Sequence, residues 1–131
     1  MEPATDQGPG GPTPRQILVV EDETLIAMEL EDALTEGGFG VIGPVPDVAA
    51  ALAVLARRRP DAAVLDVHLR GERVTPVAEA LKAMGVPFVL TSAYGREELA
   101  SDAALAGSRN IGKPTTLAVL LGALGDLLDG Q

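Results

Sequence analysis

Short apolar runs alternate with amphipathic segments along most of the chain, and this alternation constrains the fold more than any other feature. The apolar runs cover residues 17–20, 39–45, 62–65, 86–91 and, more weakly, 109–112. Continuous apolar runs without polar alternation indicate strands buried on both faces. With helices between such strands, the pattern predicts an α/β fold, a doubly wound five-stranded parallel sheet with helices on both faces.

Three of the intervening segments have the marks of amphipathic helices. In the first, apolar residues recur at helical spacing, and Gly37 and Gly38 follow as a stop. Asp47 is suited to cap a second helix, because its carboxylate accepts a hydrogen bond from a free backbone N–H group. Thr75 and Pro76 predict the N-cap and the first residue of a third helix.

The last part of the chain contains one weak and one strong helical segment. Segment 95–107 has few large apolar residues, chiefly Leu99 and Leu105, which predicts a short or loosely held and mobile helix. Segment 115–128 is rich in leucine, and its apolar stripe is wider than a single sheet-facing side requires. We expect core packing for most of this stripe, with part of it open to binding another chain.

Composition sets the domain organisation. A chain of 131 residues supports one small domain. Residues 1–15 are rich in Pro and Gly, which predicts a flexible N-terminal leader before a folded domain at 16–131. The sequence contains no Cys, which excludes disulfides and thiolate metal sites. No apolar stretch is long enough to span a bilayer, and no signal peptide is recognisable, so we expect a cytoplasmic protein without membrane insertion.

The charge balance bears on the choice of partners. With 19 acidic and 10 basic residues, the chain has a formal net charge of −9. This charge repels a polyphosphate backbone, so we expect no nucleic-acid partner.

Polar residues follow the predicted strands, and the carboxyl ends of parallel strands are where ligands bind in such sheets. Carboxylates about 4 Å apart repel one another by about 4 kcal/mol per pair in an effective dielectric of about 20. A cluster of them at this edge of the sheet therefore favours a bound cation. Carboxylate oxygens suit Mg²⁺, and a lysine with a hydroxyl would suit a phosphoryl group. The residues concerned are Glu21, Asp22, Glu23, Asp66, Thr91, Ser92 and Lys113.

Four motifs, in order, resemble those of two-component response-regulator receiver domains. They are Ile-Leu-Val-Val-Glu-Asp-Glu at 17–23, Leu-Asp-Val-His-Leu at 65–69, Pro-Phe-Val-Leu-Thr-Ser-Ala-Tyr at 87–94 and Lys-Pro at 113–114. The third resembles the Pro-Phe-x-Phe-Ala-Thr-Gly-Tyr motif of an atypical subfamily. The resemblance covers nearly all of residues 16–128 and implies the flavodoxin-like receiver fold.

The resemblance also implies roles for the acidic residues. By this similarity Asp66 is the phosphoacceptor and one of the metal ligands. Asp22 would bind Mg²⁺ directly, Glu21 would act through a water molecule, and His68 would contribute its backbone carbonyl. No other cofactor is implied.

Around the phosphoryl group, the resemblance assigns Ser92 as the sensing hydroxyl and Lys113 as the contacting cation. The sequence departs from ordinary receivers at Asn110, three positions before the lysine, where they have an aromatic switch residue. Tyr94, the only tyrosine, is a candidate for part of that switching function.

The function implied is that of a single-domain response regulator in a phosphorelay. It would accept a phosphoryl group on Asp66, with Mg²⁺, from a sensor histidine kinase or a phosphotransfer protein, and signal through contacts with an unknown downstream protein. It would not be an enzyme, beyond assisting its own phosphotransfer and dephosphorylation. Homodimerisation is left open. Few residues follow the last predicted helix, so no output domain is expected.

Three other functions fit parts of the sequence. One is a receiver-like interaction module that is never phosphorylated. Another is a Mg²⁺-dependent phosphohydrolase, which the absence of an Asp-x-Asp motif at a strand end disfavours. A flavin-binding protein is disfavoured because the first strand leads into an acidic loop rather than a phosphate-binding one.

Overall fold

A parallel sheet flanked by helices forms the centre of the structure, a computed structural model that describes residues 13–92, 99–113 and 115–129. The strands are β1 (Gln16–Val20), β2 (Gly40–Val45), β3 (Ala62–Asp66), β4 (His68–Leu69), β5 (Glu72–Arg73) and β6 (Phe88–Thr91). The helices are α1 (Thr24–Glu36), α2 (Val48–Leu55), α3 (Thr75–Met84) and α4 (Leu117–Asp129). Among the described helices, none has the length and apolarity needed to cross a membrane.

Successive residues of the central strands pack into two separate apolar layers, as expected for strands covered on both faces. The sheet order is β2-β1-β3-β6, with all neighbours parallel. Leu18 and Leu65 pack with α2 and α3 on one face. Ile17 and Val64 pack with α1 and α4 on the other. The doubly wound fold predicted from the apolar runs is therefore confirmed.

The number of strands differs from the prediction, because residues 109–112 do not form a fifth strand. Within the described residues, the main sheet has four strands, and the segment meets β6 only through a bridge between Leu90 and Asn110. Leu90 N–H donates to the Arg109 carbonyl and Ile111 N–H donates to the Leu90 carbonyl, both at 2.8 Å. Just after β6, the Ser92 N–H group donates to the Asn110 side chain instead, which ends the ladder.

The predicted caps are partly confirmed. Asp47 caps α2, and its Oδ1 accepts a hydrogen bond from Ala50 N–H at 2.8 Å. Gly85 ends α3 in the left-handed conformation that glycine adopts readily. Thr75 is not the N-cap of α3: Val74 is, and Thr75 is the first helical residue. Its hydroxyl is used elsewhere, as a hydrogen-bond donor to Asp102.

A two-stranded antiparallel ribbon, β4 with β5, was missed in the sequence. Its two-residue turn consists of Arg70 and Gly71, both with positive φ (49° and 85°). Two successive positive φ angles are typical of tight hairpin turns, for which glycine is favoured. Gly71 was the available signal. The ribbon matters for the site because it follows Asp66 directly.

The described part of the segment 95–107 is packed against α3. Residues 93–98 lie outside the described residues, and the helical residues that follow them give way to turns over 101–107. Leu99, Ala104 and Leu105 are buried in the layer formed with α2 and α3. Asp102 accepts hydrogen bonds from the Thr75 hydroxyl and from Ala104 N–H. The mobility predicted for this segment stays a prediction.

The Asp102 contacts predict a pH-dependent contribution to stability. The hydrogen bond from Thr75 lowers the pKa of Asp102, and Arg73, at 3.4 Å from Oδ2, lowers it further. A carboxyl whose pKa falls on folding stabilises the native state above its ordinary value of 3.8, and this stabilisation is lost as the pH falls through the lower folded value. We expect Asp102→Ala to lower the melting temperature at pH 7, with a difference from wild type that shrinks below about pH 4. Thermal unfolding between pH 3 and 7 measures this. A difference that does not change with pH would contradict it.

Candidate functional site

Three carboxylates meet where the two central strands of the sheet end. Glu21 and Asp22 follow β1, and Asp66 is the last residue of β3, which pairs with β1. One oxygen atom from each of the three carboxylates lies within 4.8 Å of the others. Glu21 and Asp66 are almost inaccessible, with 2% and 6% of their surfaces exposed. The predicted convergence of these side chains is therefore present in the structure.

The Lys113 ammonium group lies among the carboxylates. Its Nζ is 3.0 Å from Asp66 Oδ2, 3.4 Å from Glu21 Oε2 and 3.5 Å from Glu23 Oε1. Only a fifth of the Lys113 side chain is exposed, so these attractions are screened less than those of surface pairs. Lys113 thus joins the two buried acidic residues, at the ends of adjacent strands, into one cluster.

Backbone N–H groups hold the carboxylates in place. Glu23 N–H donates to Glu21 Oε2 at 3.1 Å, and Arg70 N–H donates to Asp22 Oδ2 at 3.0 Å. The second donor comes from the turn of the β4–β5 ribbon. Because the ribbon was missed in the sequence, this contact was missed as well.

Burial raises the pKa of Glu21 to about 7, and the negative charge of Asp66 adds to this increase. The hydrogen bond from Glu23 N–H and the charge of Lys113 oppose it but do not balance it. The neighbouring positive charge is therefore too small to offset the cost of burying the ionised form of Glu21.

The pKa values of Asp22 and Lys113 move toward their charged forms. Partial burial opposes the shift of Asp22, but the hydrogen bond from Arg70 N–H helps to bring its pKa below the ordinary value. Burial likewise opposes the shift of Lys113, whose pKa is raised because it is hydrogen bonded to Asp66 and attracted by both Asp66 and Glu21. Lys113 is a permanent cation in this pocket.

The residues of the pocket fit a hard divalent cation. Glu21, Asp22 and Asp66 supply only oxygen ligands, which Mg²⁺ prefers. When all three are ionised, their combined negative charge exceeds the positive charge of Lys113 by two units. Within the part of the chain that the structure describes, Glu21 Oε1 is buried and has no hydrogen-bond partner. An acceptor in that position suits a water molecule bound to a metal ion.

The two hydroxyl residues at the end of β6 differ in their surroundings. Thr91 is buried, and its hydroxyl donates to the Leu65 carbonyl at 3.5 Å, inside the sheet. Ser92, the predicted phosphoryl sensor, is also buried and follows the strand. Its backbone N–H and carbonyl are both hydrogen bonded to the Asn110 carboxamide.

The remaining candidates have different outcomes. His68 lies two residues after Asp66 and pairs with Arg73 in the β4–β5 ribbon. The role of its carbonyl as a metal ligand stays a prediction. Tyr94, the candidate switch residue, lies outside the described residues.

A cleft of about 540 Å³ adjoins the pocket between α1 and α4. Thr91 and Lys113 line it on the pocket side, with Ile26 of α1 and Leu117 of α4 farther out. Elsewhere on α1, Leu25 and Met28 are 75% and 54% exposed. An exposed apolar surface therefore begins within a few residues of Asp22.

The order of the strands and the acidic pocket define a class of protein, and comparison with known proteins identifies it. A family model described as the response regulator receiver domain matches residues 17–124. The chain belongs to this family of signalling regulators.

Among characterised relatives, the transcriptional regulatory protein PdtaR of Mycobacterium tuberculosis is 29% identical over 113 residues. The match covers 85% of this chain and 55% of PdtaR, so the chain spans about half the length of that relative. Among solved structures, SdrG of Pseudomonas melonis, determined in a BeF₃-activated conformation, is 44% identical. The match covers 86% of this chain and 95% of SdrG, with a TM-score of 0.73.

A third comparison concerns the metal. The receiver domain of the sensor histidine kinase PA1611 from Pseudomonas aeruginosa has a magnesium ion coordinated in its active-site cleft. It is 24% identical, with 89% of this chain and 99% of that domain covered and a TM-score of 0.78. At this identity the similarity demonstrates a shared fold.

Proposed function

We propose that this chain accepts a phosphoryl group on Asp66, in the presence of Mg²⁺, from a sensor histidine kinase or a phosphotransfer protein. The observation that carries the proposal is the placement of the Asp66 carboxylate. It lies 3.0 Å from the Lys113 ammonium and in reach of the Glu21 and Asp22 carboxylates, at the carboxyl end of a central strand. Membership of the receiver family supports it.

The chemistry follows from the groups in the pocket. An Asp66 oxygen attacks the phosphorus atom of a donor phosphohistidine, forming an O–P bond as the N–P bond breaks and the imidazole leaves. Charge on the transferring oxygens is then stabilised by Lys113, which is already within hydrogen-bond distance of Asp66. The Ser92 hydroxyl is the proposed second contact to the phosphoryl group.

Magnesium fits the same site. We assign Glu21, Asp22 and Asp66 to hold it, with the His68 carbonyl as an additional ligand. When bound, Mg²⁺ supplies positive charge that offsets the charge on the phosphoryl oxygens.

The surface beside the pocket suits a protein donor. A phosphohistidine must come within bonding distance of Asp66, so the donor has to cover the rim of the pocket. Leu25 and Met28 provide exposed apolar area in the first turns of α1, the helix that begins two residues after Asp22. We assign this part of α1 to contact with the phosphoryl-donor protein.

Signalling would follow from the charge introduced. Phosphorylation adds up to about two negative charges to a pocket that already has an excess of carboxylates. Lys113 and Ser92 would reorganise around this group and shift the chain toward a second conformation that a downstream protein recognises.

Intact mass spectrometry tests the proposal. We expect incubation with acetyl phosphate and Mg²⁺ to add one phosphoryl group, and we expect none without Mg²⁺ or in Asp66→Asn. The Asp66→Asn variant has nearly the same shape but lacks the nucleophilic carboxylate. Asp61→Asn is the matched control, because Asp61 contacts the Gln16 N–H group at the opposite end of the sheet.

Two results would contradict the proposal. Phosphorylation of Asp66→Asn would move the acceptor to another residue. A wild-type chain that gains no mass with acetyl phosphate or with phosphoramidate, and shows no NMR shifts with beryllofluoride and Mg²⁺, would be the interaction module that is never phosphorylated.

A further inference from the structure

The Asn110 side chain joins two segments of backbone beside the acidic pocket. Its Oδ1 accepts hydrogen bonds from Ser92 N–H at 2.9 Å and from Gly112 N–H at 3.0 Å. Its Nδ2 donates to the Ser92 carbonyl at 3.1 Å. One carboxamide therefore satisfies both backbone groups of Ser92 and ties them to the turn that leads to Lys113.

These hydrogen bonds replace a strand pairing. Leu90 bonds to the backbone on either side of Asn110, and a continuing parallel ladder would have joined Ser92 to the backbone beyond it. Instead the Asn110 side chain takes the position of that backbone. The chain is then free to turn at Gly112, whose φ of +84° favours glycine.

The turn determines where the Lys113 side chain starts. A lysine side chain is long and flexible, so its ammonium stays at one position only if its backbone is fixed and its partners are strong. Lys113 Nζ contacts two carboxylates of the loop between β1 and α1 and one at the end of β3. The residue immediately before it is held by Asn110, and the same carboxamide holds Ser92, the proposed sensing hydroxyl.

We propose that Asn110 is a positioning residue of the pocket: through Ser92 and Gly112 its carboxamide holds the Lys113 ammonium group against Asp66. The position of the Lys113 ammonium group is a property of the unphosphorylated chain and does not depend on the function proposed above. The effect of Asn110 on phosphoryl transfer rests on that function. Each is tested by its own measurement.

The first measurement uses the lysines directly. The sequence contains two, Lys82 and Lys113, so ¹³C-labelled lysine gives two sets of Cε signals. Lys82 is exposed on α3 and serves as an internal reference. In wild type we expect the Lys113 signal to be shifted from that of Lys82, with its two Hε protons distinct. In Asn110→Ala we expect it to move toward the Lys82 position, with the two protons merging.

Asp61→Ala is the matched control for loss of a side-chain hydrogen bond to backbone. Asp61 Oδ2 accepts from Gln16 N–H at 2.7 Å, at the end of the sheet far from Lys113. This variant should leave the Lys113 signal in place. An unchanged Lys113 signal in folded Asn110→Ala would overturn the proposal, whether or not the chain accepts a phosphoryl group.

The second measurement is a double-mutant cycle on the rate of phosphorylation by acetyl phosphate with saturating Mg²⁺. We expect Asn110→Ala to slow the rate about tenfold, and to change it less than about twofold when Lys113 is already methionine, because the two act through one group. Effects that multiply in the double variant would indicate only a general loss of structure and would overturn the proposal. If wild type is not phosphorylated, the proposed function fails, and the lysine signals alone decide the positioning role.

Discussion

Lys113→Met should slow Mg²⁺-dependent phosphorylation of Asp66 by acetyl phosphate about a hundredfold, equivalent to about 2.7 kcal/mol of transition-state stabilisation. The expected loss is large because the Lys113 ammonium lies among three carboxylates, with only a fifth of its side chain exposed, and is 3.0 Å from the proposed attacking group. Methionine keeps the length and apolar volume of the side chain but removes the charge. Mg²⁺ would still offset part of the charge on the incoming phosphoryl oxygens, but the positive charge that Lys113 holds beside Asp66 would be lost.

Lys82→Met provides the matched control for this substitution. Lys82 is the other lysine, it is exposed on α3, and its ammonium donates to the Ala103 carbonyl at 3.4 Å. We expect its phosphorylation rate to equal that of wild type. Rates are measured by intact mass over time, at a temperature where circular dichroism shows that each variant is folded. A rate for Lys113→Met within about threefold of wild type would mean that the ammonium group does not act on the phosphoryl group.

The convergence of the pocket was predictable because it depends on topology. Once residues 17–20 and 62–65 are recognised as adjacent parallel strands, Glu21 and Asp66 must lie at the same edge of the sheet. The lysine was predictable for the same reason, although its segment does not form a strand. The order of segments along the chain determines where these residues lie, even where the local secondary structure differs from the predicted one.

The contacts that hold the pocket together were not predictable in this way. Arg70 reaches Asp22 through a backbone N–H group, and a backbone donor has no signature in a sequence. Asn110 was noticed only as a departure from an expected aromatic residue. Its function as a replacement for strand pairing depends on the orientation of one carboxamide relative to Ser92, which residue spacing does not encode.

The start of α3 shows how a tertiary contact can override a prediction made from local sequence. Thr75 followed by proline favours an N-cap, yet its hydroxyl bonds to Asp102, far along the chain. A tertiary contact has taken the group that local preference assigns to capping. The same contact anchors the segment around residue 102, whose composition alone indicated a loosely held element.

Leu105 offers a direct test of how firmly that segment is held. We expect Leu105→Ala to reduce the free energy of unfolding by about 2–5 kcal/mol, the range for a leucine removed from a packed core. Its side chain is fully buried in the layer formed with α2 and α3, although it belongs to a stretch with few other large apolar residues. Leu117→Ala removes the same atoms from a site that is 41% exposed, and there we expect a loss of less than about 1 kcal/mol. Urea unfolding monitored by circular dichroism gives both values, provided that the denaturant dependence is the same in the two variants. Equal and small losses of unfolding free energy in the two variants would contradict this expectation. The segment would then be held only by the polar contacts of Asp102 and would be as loosely packed as its sequence indicates.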